Sequence, residues 1–218
     1  MIDRARLLAL LAEPPPSPPE DWVSRGVKAP RTAAVALPVV LDDAPRVYAV
    51  LRSASLRDHP GEVAFPGGKV EPSDASPEAA ALRELEEEVA VVGVTVLGRF
   101  APLPVVTGKY LVHPFVVELP PSAVPRVACS EIEEVLPIAL EPLLEREVRG
   151  TPAPWRGVEL LIPSFRLPTR RGEVVLYGMS AFFLYELLSR VAATAGLPPP
   201  PLVRTTDQPW GDRYDRTW

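Results

Sequence analysis

Three glutamates in one short segment have the spacing that could place their carboxylates together. Glu84, Glu87 and Glu88 lie three and four positions apart, so on a helix their side chains share one face. Like charges at this spacing repel each other on an exposed helix. A hard divalent cation such as Mg²⁺ or Mn²⁺, which prefers carboxylate oxygens, would offset that repulsion. The alternative is a solvated acidic face, which is what most charge runs in proteins are.

The residues just before this helix add a second chemical feature. Gly67 and Gly68 lie in a loop that leads towards the glutamates. Glycines let a backbone approach a phosphate closely or offer a carbonyl to a metal. Arg83 is the i+4 partner of Glu87 and could hold it in place. A glycine loop followed by an acidic helix therefore outlines a metal–phosphate site.

The elements that must position these residues follow from the pattern of apolar residues. Ser76 is a good N-cap and Pro77 suits the first helical position, which predicts that the acidic helix spans 76–89. The pattern further predicts strands at 33–41, 47–51, 91–100 and 110–119, helices at 141–149 and 180–195, and a hairpin of 160–167 with 173–176. Interleaved strands and helices favour one α/β sandwich with a mixed sheet.

Composition and charge limit the class of protein. The chain has 218 residues, 47% of them hydrophobic and 23% charged, which is typical of a globular domain. A net charge of −5 argues against a general nucleic-acid binder. The single cysteine, Cys129, excludes an intrachain disulfide and favours a reducing cytoplasm. We expect no targeting segment and no membrane span.

Proline clusters divide the chain into three parts. We expect an N-terminal helix with a proline-rich arm at 1–30, the main domain at 31–195, and a proline-rich polar tail at 196–218 that is loosely ordered. The N-terminal helix could pack on the domain or on a second subunit. A homodimer is therefore left open.

The segment 67–91 resembles the Nudix box, G-x5-E-x7-R-E-U-x-E-E-x-G-U, in which U is a bulky apolar residue. The matching residues are Gly68, Arg83, Glu84, Leu85, Glu87, Glu88 and Val91. The interval from Gly68 to Arg83 is one residue longer than the pattern, and Asp74 stands where glutamate is usual. Ala90 replaces the late glycine, at a cost of about 1 kcal/mol if that position requires a positive φ.

A second motif narrows the resemblance. Residues 52–68, RSASLRDHPGEVAFPGG, are similar to the signature R-S-x3-R-x-H-x-G-x-V-x-F-P-G-G of the coenzyme A pyrophosphatase branch of Nudix hydrolases. The resemblance implies a Nudix-type α/β/α sandwich with a mixed β-sheet. It also implies hydrolysis of the pyrophosphate of coenzyme A or its derivatives, with 3′,5′-ADP and 4′-phosphopantetheine as products. That substrate is a small-molecule nucleotide, with neither nucleic acid nor membrane as a partner.

The resemblance also implies roles for individual residues. Mg²⁺ or Mn²⁺ is expected on Glu84, Glu87, Glu88 and the Gly67 carbonyl, and the catalytic carboxylates are expected among those three glutamates and Glu131. Substrate contacts are expected from Arg52, Arg57, His59, Gly68 and Lys69. The alternatives are a surface ion pair for Arg52, a turn-ordering role for His59 and a solvated loop for Glu131.

Two other functions stay open at this point. One is a Nudix enzyme that acts on another nucleoside diphosphate derivative, such as ADP-ribose or NADH; the signature at 52–68 argues against it. The other is a non-catalytic Nudix-fold nucleotide-binding module. The intact Glu87 and Glu88 argue against that module, because a binding protein does not need them.

Overall fold

The computed structural model describes residues 3–12, 31–105, 107–155 and 157–208. The helices are α1 (Arg4–Ala12), α2 (Pro77–Val89), α3 (Glu141–Leu144) and α4 (Gly178–Thr194). The strands are β1 (Arg31–Val40), β2 (Arg46–Arg52), β3 (Val63–Ala64), β4 (Gly67–Lys69), β5 (Thr95–Arg99), β6 (Leu103–Pro104), β7 (Tyr110–Glu118), β8 (Ile132–Ala139), β9 (Val148–Trp155), β10 (Val158–Thr169), β11 (Gly172–Tyr177) and β12 (Leu202–Arg204).

The strands form two sheets. In the larger sheet the order is β3-β2-β1-β7-β5, with β4 on β1, β6 on β7 and β8 on β2. The β1–β7 pair is parallel and the other pairs are antiparallel, so the sheet is mixed as expected. The smaller sheet has the order β11-β10-β9-β12.

Helix α2 packs on one face of the larger sheet. The Ser76 hydroxyl accepts a hydrogen bond from the backbone N–H of Ala79 at 3.1 Å, which confirms the expected N-cap. The buried face of α2 includes Leu85 and Val89, which belong to the same apolar cluster as Ala34 on β1. This small residue lets the helix lie close to the sheet, so the acidic side chains stand near β4.

The opposite face of the larger sheet is covered by α1, α4 and the smaller sheet. Leu7 and Leu11 of α1 are buried in that second core, so the N-terminal helix packs on its own chain. Arg6 donates a hydrogen bond at 3.0 Å to the carbonyl of Thr194, at the end of α4. Arg190 donates at 2.9 Å to the carbonyl of Leu10, in the last turn of α1. Each helix thus supplies a partner for a C-terminal carbonyl of the other.

Several expectations differ from the structure. The helix predicted at 141–149 ends at Leu144, and β9 begins at Val148 because its backbone pairs with β10 and β12. The strand expected at 91–100 spans only Thr95–Arg99, and no expected strand corresponds to β3, β4, β6, β8 or β9. The start of the tail, expected to be loosely ordered, contains β12, which runs parallel to β9. Across the described ranges, every helix is too short or too polar to cross a bilayer.

Candidate active site

Arg83 orients two of the carboxylates on α2. Its Nη1 atom donates hydrogen bonds at 3.0 Å to Glu84 Oε1 and to Glu87 Oε2. The second contact confirms the expected i+4 pair. Arg83 Nη2 also donates to the backbone carbonyl of Lys69 at 3.2 Å, which ties α2 to β4. Arg83 therefore fixes the direction in which two of the acidic side chains leave the helix.

Asp74 holds Arg83 from the other side. Arg83 Nε and Nη2 donate to the two carboxylate oxygens of Asp74 at 3.0 and 3.1 Å, a bidentate contact. This contact lowers the pKa of Asp74, with help from the backbone N–H of Glu71. The aspartate that departs from the family pattern thus still reaches the arginine of the box.

The two glycines are required because other groups lie against their backbone. A Cβ atom on Gly68 would overlap the carboxylate of Glu84, and one on Gly67 would overlap the backbone of β1. Ala36 donates to the carbonyl of Pro66 and Val70 donates to that of Thr32. In this antiparallel register the backbone groups of Gly67 point away from β1. The Gly67 carbonyl is therefore available as a ligand.

Glu88 is the most strongly perturbed acid of the site. Glu88 is only 6% exposed. Burial, followed by the nearby charge of Glu84, raises the pKa of Glu88 to about 8, although Arg52 and a backbone hydrogen bond from Gly67 oppose the rise. Burial also raises the pKa of Glu84. Burial is therefore the main reason that both carboxylates resist ionisation, and the charges of the neighbouring acids add to it.

Glu131 is brought to the same place from a distant part of the chain. The loop before it is held on the end of α2, where Arg126 and Ala128 donate backbone hydrogen bonds to the carbonyls of Val89 and Glu88 at 3.1 Å each. Beyond it, the Glu131 carbonyl accepts a bond from Ser53 N–H at 2.7 Å. Its charge contributes to the raised pKa of both Glu84 and Glu88.

Arg52 lies between Glu88 and Glu131. Its Nη1 atom is 3.8 Å from Glu88 Oε1, and its Nη2 atom donates to Glu131 Oε2 at 3.3 Å. A β-bulge interrupts the pairing of β2 with β8 between Leu51 and Arg52. Bulges redirect side chains, and this one lies where Arg52 leaves the strand. Arg52 thus forms ion pairs as the alternative expected, but at a partly buried place and with two candidate site acids.

The donor set fits a hard divalent cation. Glu88 Oε2 is buried and has no hydrogen-bond partner among the described residues, which leaves a carboxylate oxygen free. In the described part of the chain, however, no three His, Cys, Asp or Glu side chains form a ready ligand group. The arginines explain this arrangement, because Arg83 holds Glu84 and Glu87 while Arg52 holds Glu88 and Glu131.

The remaining expected substrate residues lie on β4 and on the loop between β2 and β3. Arg57 is exposed and forms no ion pair with a described residue. His59 has a φ of 56° and its Nδ1 atom lies 2.8 Å from Glu62 Oε2, so it does order the turn. Lys69 is exposed next to Tyr110, whose pKa is lowered by Arg31 and by Lys69.

Sequence reasoning missed two connections. The Arg83–Asp74 contact joins residues nine positions apart, and the pattern marked Asp74 only as a departure. The contact of Arg52 with Glu131 spans 79 positions. No local spacing signals that second contact, because the pairing of β2 with β8 creates it.

Comparison with known proteins relates the chain to one protein family. The NUDIX domain family model matches residues 30–155, more than half of the chain. A protein of Photorhabdus laumondii named uncharacterized Nudix hydrolase NudL is 44% identical over 116 residues, covering 52% of this chain and 62% of that protein. Its Escherichia coli namesake is 46% identical over 112 residues, covering 50% and 58%. The aligned part thus spans about three fifths of these relatives.

A solved structure supports the fold. The chain is similar to a NUDIX hydrolase from Nitrosomonas europaea with a TM-score of 0.50 and 14% identity, over 82% of this chain and 81% of that one. At this identity the likeness concerns the fold alone. It covers more of the chain than the family model matches.

Proposed function

Because the chain belongs to the Nudix domain family, whose hydrolases generally use divalent metals, we propose that it hydrolyses the pyrophosphate of coenzyme A or its derivatives. The products would be 3′,5′-ADP and 4′-phosphopantetheine or its acyl form. The substrate class rests on the ten signature residues between Arg52 and Gly68. The observation that carries the hydrolytic activity is the buried carboxylate of Glu88, which feels the charges of Glu84 and Glu131 and whose Oε2 atom has no hydrogen-bond partner in the described residues.

The acids of α2 would hold Mg²⁺ or Mn²⁺. The proposed ligands are Glu84, Glu87 and Glu88, with the outward-facing carbonyl of Gly67 as a further ligand. When bound, the ion would neutralise pyrophosphate charge and lower the pKa of bound water. Arg83 keeps Glu84 and Glu87 directed towards this place, and the absence of a side chain on Gly68 makes room for Glu84.

A carboxylate must accept the proton of the attacking water. The water oxygen forms a bond to one phosphorus while the bridging P–O bond breaks, and the second phosphate leaves as a monoester. We propose Glu131 as the general base that accepts this proton, because its side chain is 56% exposed whereas Glu88 is buried. Glu131→Gln should lower kcat by about 100-fold or more with little change in KM, which steady-state kinetics would measure.

The phosphates of the substrate need cations in an otherwise acidic protein. Arg57 is exposed and unpaired within the described residues, so it can bind a phosphate without breaking an internal contact. Lys69 and Arg31 lie beside the Tyr110 hydroxyl and form a second basic position next to the glycines. We propose that this position binds the 3′-phosphate, which distinguishes coenzyme A from its dephosphorylated form.

A substrate panel tests the proposal. Coenzyme A, dephospho-coenzyme A, ADP-ribose and NADH would be compared at saturating Mn²⁺, with Glu87→Gln as the inactive control. We expect the highest kcat/KM for coenzyme A. Turnover of only ADP-ribose or NADH would reassign the substrate, and tight binding without turnover would make the protein a binding module.

A further inference from the structure

The contacts of Arg52 with its two acidic partners leave some of its hydrogen-bonding capacity unused. The 3.8 Å separation of its Nη1 atom from Glu88 Oε1 is well beyond the 2.7–2.9 Å or so of a charge-assisted hydrogen bond. Its Nε atom is buried and has no hydrogen-bond partner in the described residues, and the same holds for Glu88 Oε2. Each side chain of this pair therefore has one buried polar atom that lacks a hydrogen-bond partner among the described residues.

The guanidinium is nevertheless the positive charge that lies against both Glu88 and Glu131. It is 20% exposed, and it contacts Glu88 on α2 and Glu131 on the approach to β8. Arg83, the other arginine of the site, is committed to Asp74, Glu84 and Glu87. Without Arg52, a largely buried Glu88 would face Glu84 and Glu131 with no cation of the described residues in contact.

We propose that Arg52 is the internal counter-cation of this carboxylate cluster and that it competes with a divalent ion for Glu88. Ion binding then releases the guanidinium from Glu88, and the freed guanidinium binds a substrate phosphate. Arg52 is in this view a positioning residue for the acids as well as a substrate ligand. The phosphate half of the inference rests on the proposed function, whereas the competition does not.

The competition can be measured without turnover. Metal-free protein would be titrated with Mn²⁺ and free ion followed by electron paramagnetic resonance, for the parent protein and for Arg52→Gln. We expect the variant to bind Mn²⁺ about threefold to tenfold more tightly, because the cation that competes for Glu88 is gone. A change of this size corresponds to the energy of one partly buried ion pair. The metal-free variant should also melt at a lower temperature, since Glu88 loses its partner.

Arg57→Gln is the matched control. Arg57 belongs to the same signature but is exposed and forms no ion pair in the described residues. This variant should leave Mn²⁺ affinity and metal-free melting temperature unchanged while raising the KM for coenzyme A. If Arg52→Gln does not fold, Arg52→Lys keeps one charge but loses the fork and should give the same direction of change in Mn²⁺ affinity.

Unchanged or weaker Mn²⁺ binding in the Arg52 variants would overturn the competition. Tighter binding of Mn²⁺ together with no turnover of coenzyme A would instead leave the competition standing and reject the proposed substrate. Tighter Mn²⁺ binding with an unchanged KM for coenzyme A would overturn the release of Arg52 to the phosphate. Each part of the proposal is thus refuted by a different experimental outcome.

Discussion

Single residues at this site act by holding other residues. Arg83 contacts three carboxylates and a backbone carbonyl, but none of these contacts requires a substrate. Its bidentate partner, Asp74, is the aspartate that departs from the family pattern. Orientation of the acids therefore depends on a residue of the loop before α2 that is not one of the proposed ligands. Such supporting contacts are typically as important as the ligands that they hold.

Replacement of Asp74 tests this dependence. Asp74→Asn keeps the shape of the side chain but removes the charge that pairs with Arg83. We expect kcat to fall by about 10- to 100-fold, because Glu84 and Glu87 lose their fixed direction. Steady-state kinetics and Mn²⁺ affinity would be measured together. Asp74→Glu, which restores the family residue, should retain more activity than Asp74→Asn; equal loss in both would contradict the account.

His59 gives a prediction about pH. Its contact with Glu62 raises the pKa of His59 above its ordinary value, mainly through the hydrogen bond. The contact should stabilise the turn fully below the unfolded pKa of about 6.5 and lose that effect as pH rises through the folded pKa. NMR titration of the imidazole should show the raised pKa, and Glu62→Gln should reduce it. A pKa below the ordinary value would contradict this role.

At the scale of elements, the C-terminal end of α2 carries a strained residue. Ala90 has φ 55° and ψ 40°, the left-handed conformation, and its N–H donates to the carbonyl of Glu86. This is the conformation for which the family pattern has glycine. The cost of about 1 kcal/mol that alanine carries at a positive φ therefore applies to Ala90. The neighbouring carbonyls of Glu88 and Val89 are held by the loop that leads to Glu131. The end of the helix and the site are therefore connected.

Ala90→Gly should stabilise the protein. Removal of the Cβ relieves the left-handed strain, and we expect about 1 kcal/mol, which for a chain of this size raises the melting temperature by about 2–4 °C. Calorimetry would measure it. The same substitution inside the helix, Ala79→Gly, is the control and should destabilise by about 1 kcal/mol. A lower melting temperature for Ala90→Gly would refute the assignment of strain.

How far the sequence predicted these elements depends on the range of the interactions. The N-cap at Ser76, the shared face of the glutamates and the Arg83–Glu87 pair follow from local spacing, and the structure confirms them. The contact of Arg52 with Glu131 and the strand β12 depend on pairing between distant segments. Local periodicity carries no information about such register, so these features could not be predicted.

At the scale of the whole molecule, the site lies on one face of the larger sheet and most of the core lies on the other. Leu7 is fully buried on that second side, in the core that includes Leu184 and Leu188 of α4. The N-terminal helix is thus part of the fold of this chain. Its buried leucines contribute to stability without contacting the acids of α2.

Leu7→Ala separates these two contributions. Loss of a fully buried leucine should cost about 2–5 kcal/mol of the free energy of unfolding. Activity per folded molecule should stay unchanged, since the glutamates lie across the sheet. Denaturant unfolding and kinetics well below the melting temperature would measure the two effects. Ala5→Ser, on the exposed side of α1, is the control; a similar loss of stability there would contradict the packing.

The most direct test of the central claim is product analysis with coenzyme A. The protein would be incubated with coenzyme A and Mn²⁺ in ¹⁸O-water, and the products identified by mass spectrometry. We predict 3′,5′-ADP and 4′-phosphopantetheine, with one ¹⁸O atom in one of the two new phosphates, and no products with excess EDTA or with Glu88→Gln. Intact coenzyme A in the complete reaction, or undiminished cleavage by Glu88→Gln, would contradict the account.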